Sequence, residues 1–89
     1  MLKICFTTRF RKDLQRMLKS GKEPEKLKVI LEKLTRREAL DRKHHDHKLQ
    51  GPFHYRRECH IEPDWLLVYK LTDEEIIFER NGTHADLFE

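Results

Sequence analysis

Histidine is missing from the first 43 residues of this 89-residue chain; all six lie between His44 and His84. Cysteine is nearly as scarce. Cys5 and Cys59 each sit in an apolar, strand-like context, and no C-x-x-C pair occurs. Buried free thiols in a reducing cytosol are the expected state, since a bridge between strands would need close Cα atoms. Three glycines form no Gly-rich phosphate loop, which argues against nucleoside-triphosphate chemistry. H-E-x-x-H is absent, so no metal site is expected, although His44, His45 and His47 flank Asp46. No signal peptide, transit peptide or apolar run of membrane length is legible. A soluble, cytoplasmic chain with no membrane partner and no cofactor is expected. Repeats and low-complexity segments are also lacking, so residues 1–89 read as one small domain.

What is present is charge. Charged residues make up 39% of the chain and hydrophobic residues 37%, so the core must be small and the surface highly charged. The net charge of +3 attracts nucleic acid or an acidic protein, but a merely solvated surface explains it equally well.

Met1 to Phe6 reads as a first strand, after which Thr7 or Thr8 can cap a helix. Phe10, Leu14, Met17 and Leu18 form one helical stripe, stopped by Gly21. Pro24 suits the first turn of a second helix, whose stripe is Leu27, Ile30, Leu31 and Leu34. Together these predict a helical hairpin in residues 8–40, with a separate short helical turn at Arg36 to Leu40. Residues 41–52 are polar and aperiodic, a loop closed by Gly51-Pro52. From Phe53 the period becomes two, with Arg56, Glu58 and His60 alternating with Tyr55, Arg57, Cys59 and Ile61. Pro63-Asp64 breaks this run. Trp65 to Leu71 is a near-continuous apolar strand expected at the centre of a sheet. Thr72-Asp73-Glu74 is a hairpin turn and Glu75 to Arg80 another strand, ended by Asn81-Gly82. Thr83 with Asp86 resembles a one-turn capping box. The expected fold is α+β, in the order β-α-α-β-β-β. Its antiparallel-rich sheet is covered on one face by the helical hairpin, with a short C-terminal helical turn.

The histidine-rich half suits acid/base chemistry on a phosphate ester, RNA above all, because the 2′-hydroxyl is an internal nucleophile. Cleavage without a metal needs a base for the 2′-hydroxyl, an acid for the leaving 5′-oxygen and a cation for the phosphate. His47, His60 and His84 can each be base or acid near neutral pH. Asp64 can orient a histidine, Arg80 offers a fork of donors to phosphate, and Trp65 and Phe88 can stack on bases. Each residue alone has a plainer reading. His60 can sit on a solvated strand face, Trp65 in the core and Asp64 in a turn. Arg80 can pair with Glu79 or Glu58, His84 can cap the last helix, and Phe88 can anchor the terminus. The case rests on their combination.

Three motifs are specific. They are Asp46-His47-Lys48-Leu49-Gln50-Gly51, then Arg57-Glu58-Cys59-His60-Ile61-Glu62-Pro63-Asp64-Trp65-Leu66-Leu67-Val68-Tyr69, then Glu79-Arg80-Asn81-Gly82-Thr83-His84-Ala85-Asp86-Leu87-Phe88. In this order and spacing the chain closely resembles the YafQ branch of the RelE toxin superfamily. The resemblance implies a RelE-like microbial ribonuclease fold and a type II toxin that cuts mRNA in the ribosomal A site without metal, leaving a 2′,3′-cyclic phosphate. It implies the ribosome and mRNA as partners, and a cognate antitoxin of ribbon-helix-helix type. Operator DNA would be met only through the antitoxin complex, which represses its own operon. It implies catalytic roles for His47, His60, Asp64, Arg80 and His84, and substrate contacts for Trp65, Phe88 and Arg57. Two departures stand out. Lys48 replaces the usual proline after the first histidine. Arg56 takes the place of the usual tyrosine before Arg57, which displaces Tyr55 by one residue. The competing readings are a non-catalytic RNA- or ribosome-binding module and a plain protein-interaction domain with an acidic partner.

Overall fold

Apolar residues at i, i+3 and i+4 build two helices, and alternating or continuous apolar runs build the strands they cover. The computed structural model describes residues 2–49 and 56–88. The Gly51-Pro52 turn and the alternation through His54 and Tyr55 lie outside them. Along the chain run β1 (Lys3–Phe6), α1 (Thr8–Lys19), α2 (Pro24–Thr35), a 3-10 turn (Arg42–His44), β2 (His47–Lys48), β3 (Arg57–Glu62), β4 (Trp65–Leu71), β5 (Glu75–Gly82) and α3 (His84–Phe88). The five strands form one sheet in the order β1-β5-β4-β3-β2. β1 runs parallel to β5; the other pairings are antiparallel. The α+β arrangement read from the sequence is the one observed, with β4 central.

One face of the sheet packs on the helices. Phe10 and Met17 of α1, with Leu27, Ile30 and Leu34 of α2, bury against Cys59, Ile61, Trp65, Leu67, Tyr69, Ile76 and Phe78. Both cysteines are free thiols, and burial, with the Asp46 and Glu58 carboxylates adding to it, pushes the Cys59 thiol up from its ordinary pKa.

Local chemistry fixes the ends. Thr7 caps α1, its hydroxyl accepting from the Phe10 N–H at 3.0 Å. Gly21, at φ 95°, closes α1, with its N–H on the Leu18 carbonyl and the Lys22 N–H on the Met17 carbonyl. Thr83 and Asp86 form the reciprocal capping box, at 3.0 and 3.1 Å.

Three expectations need correction. Arg36 to Leu40 forms no helix; α2 ends at Thr35, and Arg37 at φ 59° turns the chain away. Leu18 is exposed, and the α1 stripe instead buries Asp13, three residues after Phe10. The segment after Asp41 is not a plain loop, because it holds the 3-10 turn and the two-residue strand that carries His47.

Candidate active site

The sheet face turned away from α1 and α2 gathers the histidines by register. His47 on β2 stands opposite Glu58 on β3, Glu58 opposite Val68 on β4, and Val68 opposite Arg80 on β5. Residues directly opposite share a face, so these four make one cross-strand row. The adjoining row is His60, Leu66 and Gly82.

Arg80 reaches this face through a β-bulge. Val68 pairs with Arg80 but Tyr69 pairs with Phe78, so Glu79 is an extra residue on β5. With strict alternation, Arg80 would share the core face of Phe78 two residues earlier. The bulge reverses its direction.

Glu58 joins two imidazoles. Its Oε1 lies 3.4 Å from His47 Nε2 and 3.5 Å from His60 Nε2. The Glu58 side chain is 7% exposed and that of His47 is 50% exposed, so a sheltered carboxylate sits behind an accessible ring. His60 and His84 follow each other with ring centroids 6.0 Å apart, and the Phe88 ring lies 6.1 Å beyond His84. Asp64, in the β3–β4 turn, accepts the His84 backbone N–H at 3.0 Å, and its Oδ1 lies 3.5 Å from His84 Nδ1. The 3-10 turn closes the other side. His44 Nδ1 is 2.7 Å from the His60 carbonyl, and the His45 ring meets that of His60 edge-on at 5.4 Å.

The Arg80 guanidinium is held by Asp13 of α1, Nε to Oδ2 at 2.7 Å and Nη2 to Oδ1 at 3.2 Å. Asp13 also accepts from the Asn81 N–H and from Arg16. Burial raises the Asp13 pKa, but the Arg80 hydrogen bond, the Asn81 N–H and Arg16 outweigh it and hold the carboxyl below its usual value. Asp13 in turn raises the Arg80 pKa. The cation is therefore fixed in position at the edge of the histidine row.

Six of the eight expected site residues meet on or beside this face: His47, His60, Asp64, Arg80, His84 and Phe88. Two do not. Trp65 is 0% exposed in the core, where its Nε1 donates to Asn81 Oδ1 at 3.1 Å, so it cannot stack on a base directly. Arg57 alternates to the helix face with Cys59 and bonds Tyr69 Oη and Asp46 Oδ1, both at 3.3 Å, so it is not brought to His60. Burial and the adjacent Asp46 raise the Tyr69 phenol's pKa. Glu58 is not among the residues expected at the site, although its alternation with His60 places it on the same face. Nor is Asp13, a carboxylate in an apolar helical stripe.

A family model described as the bacterial toxin of type II toxin–antitoxin systems, YafQ, matches residues 2–89. The chain belongs to the YafQ family of toxins. The mRNA interferase toxin YafQ of Escherichia coli K12 is 42% identical over 96% of this chain and 94% of its own. A chain in the crystal structure of the E. coli DinJ–YafQ toxin–antitoxin complex superposes with TM-score 0.93 at 40% identity, covering 99% of this chain and 98% of that one. A copper-bound variant of a Helicobacter pylori toxin gives TM-score 0.94 at 40% identity, covering 99% and 100%. Copper is a property of that structure. Among the described residues of this YafQ-family chain, no group of three or more His, Cys, Asp or Glu is arranged to hold a metal ion. No helix among them is long and apolar enough to cross a membrane.

Proposed function

We propose that this YafQ-family chain is an endoribonuclease toxin that cuts mRNA in the ribosomal A site by metal-independent acid/base catalysis. A cognate antitoxin neutralises it, and the pair represses its own operon. The observation that carries the reading is the Glu58 carboxylate set between His47 and His60, in one row with Arg80 and beside His84. The kinship with an mRNA interferase and with a chain from an antitoxin complex supports it.

Asp64 Oδ1 lies 3.5 Å from His84 Nδ1, so a carboxylate stands on that side of the ring and Nε2 is the nitrogen turned away from it. In this mechanism His84 Nε2 takes the proton of the 2′-hydroxyl. The 2′-oxygen forms a bond to phosphorus as the bond to the 5′-oxygen breaks. His60 donates the proton that the 5′-oxygen acquires, and His47 re-supplies it or grips the substrate. Glu58 sets a carboxylate beside both rings, at 3.4 Å from His47 Nε2 and 3.5 Å from His60 Nε2. Arg80 stabilises the charge that builds on the phosphate, and Asp13 keeps it aimed. The products are a 2′,3′-cyclic phosphate and a 5′-hydroxyl.

The test is end analysis of the RNA left after translation in vitro with the protein. A 2′,3′-cyclic phosphate and a 5′-hydroxyl are expected. Cuts that leave a 3′-hydroxyl and a 5′-phosphate contradict the mechanism. Ribosome binding with intact mRNA instead supports a non-catalytic binding module.

A further inference from the structure

Beside the histidine row lies a pocket with a volume of about 280 Å³, lined among others by Thr7, Arg56, Val68, Glu79, Arg80 and Phe88. It is close to the smallest volumes common for small-molecule sites, about 300 Å³. Its charged lining is Arg9, Arg80 and one ion pair. Arg56 Nε donates to Glu79 Oε1 at 2.5 Å, and both side chains are partly accessible, 34% and 20%. The same bulge that turns Arg80 outward places Glu79 beside it, and the Thr7 hydroxyl fixes the bulge by donating to the Glu79 carbonyl at 2.8 Å. Thr7 also caps α1, so the wall is tied to the helix.

We infer that this pocket is a base subsite next to the scissile phosphate and that the Arg56–Glu79 pair selects guanine. The inference rests on the ribonuclease reading. Arg80 and Phe88 line the pocket, and Phe88 neighbours His84, so a phosphate held at Arg80 places an adjoining base within it. Because Arg56 pairs through Nε, its two Nη groups remain chemically able to donate, and Glu79 has further lone pairs to accept. A donor set beside a double acceptor matches a base edge reading acceptor, donor, donor. Among the four RNA bases that is the Watson–Crick edge of guanine. O6 takes an Arg56 N–H, and N1–H and N2–H donate to Glu79. Adenine would set its N6 amino group against Arg56, and uracil would set a carbonyl oxygen against Glu79. Phe88 and Val68 supply apolar surface for the ring faces.

The experiment measures cleavage of translated templates carrying each of the four bases at each position flanking the cut. At one flanking position guanine is expected to be cut about ten-fold faster or more, the discrimination of a good bidentate base contact. Inosine there, which lacks the N2 amino group, is expected to be slower, whereas 7-deazaguanine is not. Glu79→Gln and Arg56→Gln are each expected to shrink the guanine advantage to about three-fold or less. A merely structural role would lower all four rates together and leave their ratios unchanged. Equal rates for all bases, or a preference that both variants retain, overturns the subsite while the ribonuclease reading stands. Binding of 2′-O-methyl trinucleotides UNU, which lack the nucleophile, separates the two claims. Tighter binding of UGU that Glu79→Gln abolishes supports the subsite even if no RNA is cut.

Discussion

Asp13 receives the Arg80 guanidinium through two bonds, at 2.7 and 3.2 Å, from a helix position 3% exposed to solvent. A buried carboxylate in the stripe of an amphipathic helix is costly unless paired, and here the pair holds the site's cation. Asp13→Ala removes the carboxylate that accepts from the Arg80 guanidinium and from the Asn81 N–H. A stability loss of about 2–3 kcal/mol is expected in urea unfolding, together with a fall in cleavage rate.

Acid should erase that contribution. The Asp13 pKa in the folded chain lies below its ordinary 3.8, so its stabilisation is complete above that value. It is lost as pH falls through the lower folded value. Urea unfolding of wild type and Asp13→Asn should therefore differ by a constant amount from neutral pH down to about 4, and converge below it. A gap that widens in acid would contradict the assignment.

Glu58→Gln keeps the size of the side chain but removes the charge that faces His47 and His60. Cleavage is expected to fall by about a hundred-fold and its pH profile to change shape, while the melting temperature moves little. An unchanged profile would remove Glu58 from the proton path.

Trp65→Phe should act on stability rather than on RNA binding. It leaves the buried Asn81 Oδ1 without the indole N–H, at a cost of about 1–3 kcal/mol. A lower melting temperature with unchanged RNA affinity is expected. Weaker RNA binding in a protein of unchanged stability would restore Trp65 as a base-stacking residue.

Four of the five strands, the helical hairpin and both capping motifs were legible because each depends on local periodicity or on one turn of chain. Trp65 shows where local reading stops. Its motif marks it out, but only the packing of α1 and α2 on β4 shows that the indole faces the core. Arg57 is similar, since alternation placed it opposite Glu58 and His60 and its motif position gave it a substrate role. Arg80 was identified without its geometry. The bulge that turns it outward is a register shift between two strands and has no signature within β5. Glu58 was within reach, because alternation already set it beside His60. Its link to His47 was not, because that depends on a two-residue strand too short to show a period.

The most direct test of the account is primer extension on an mRNA translated in vitro, with the wild-type protein and with His84→Ala. The account predicts cuts in register with the ribosome, lost by about a hundred-fold or more in the variant while antitoxin binding persists. Full cleavage by His84→Ala, or intact mRNA with a folded wild-type protein on the ribosome, would contradict it.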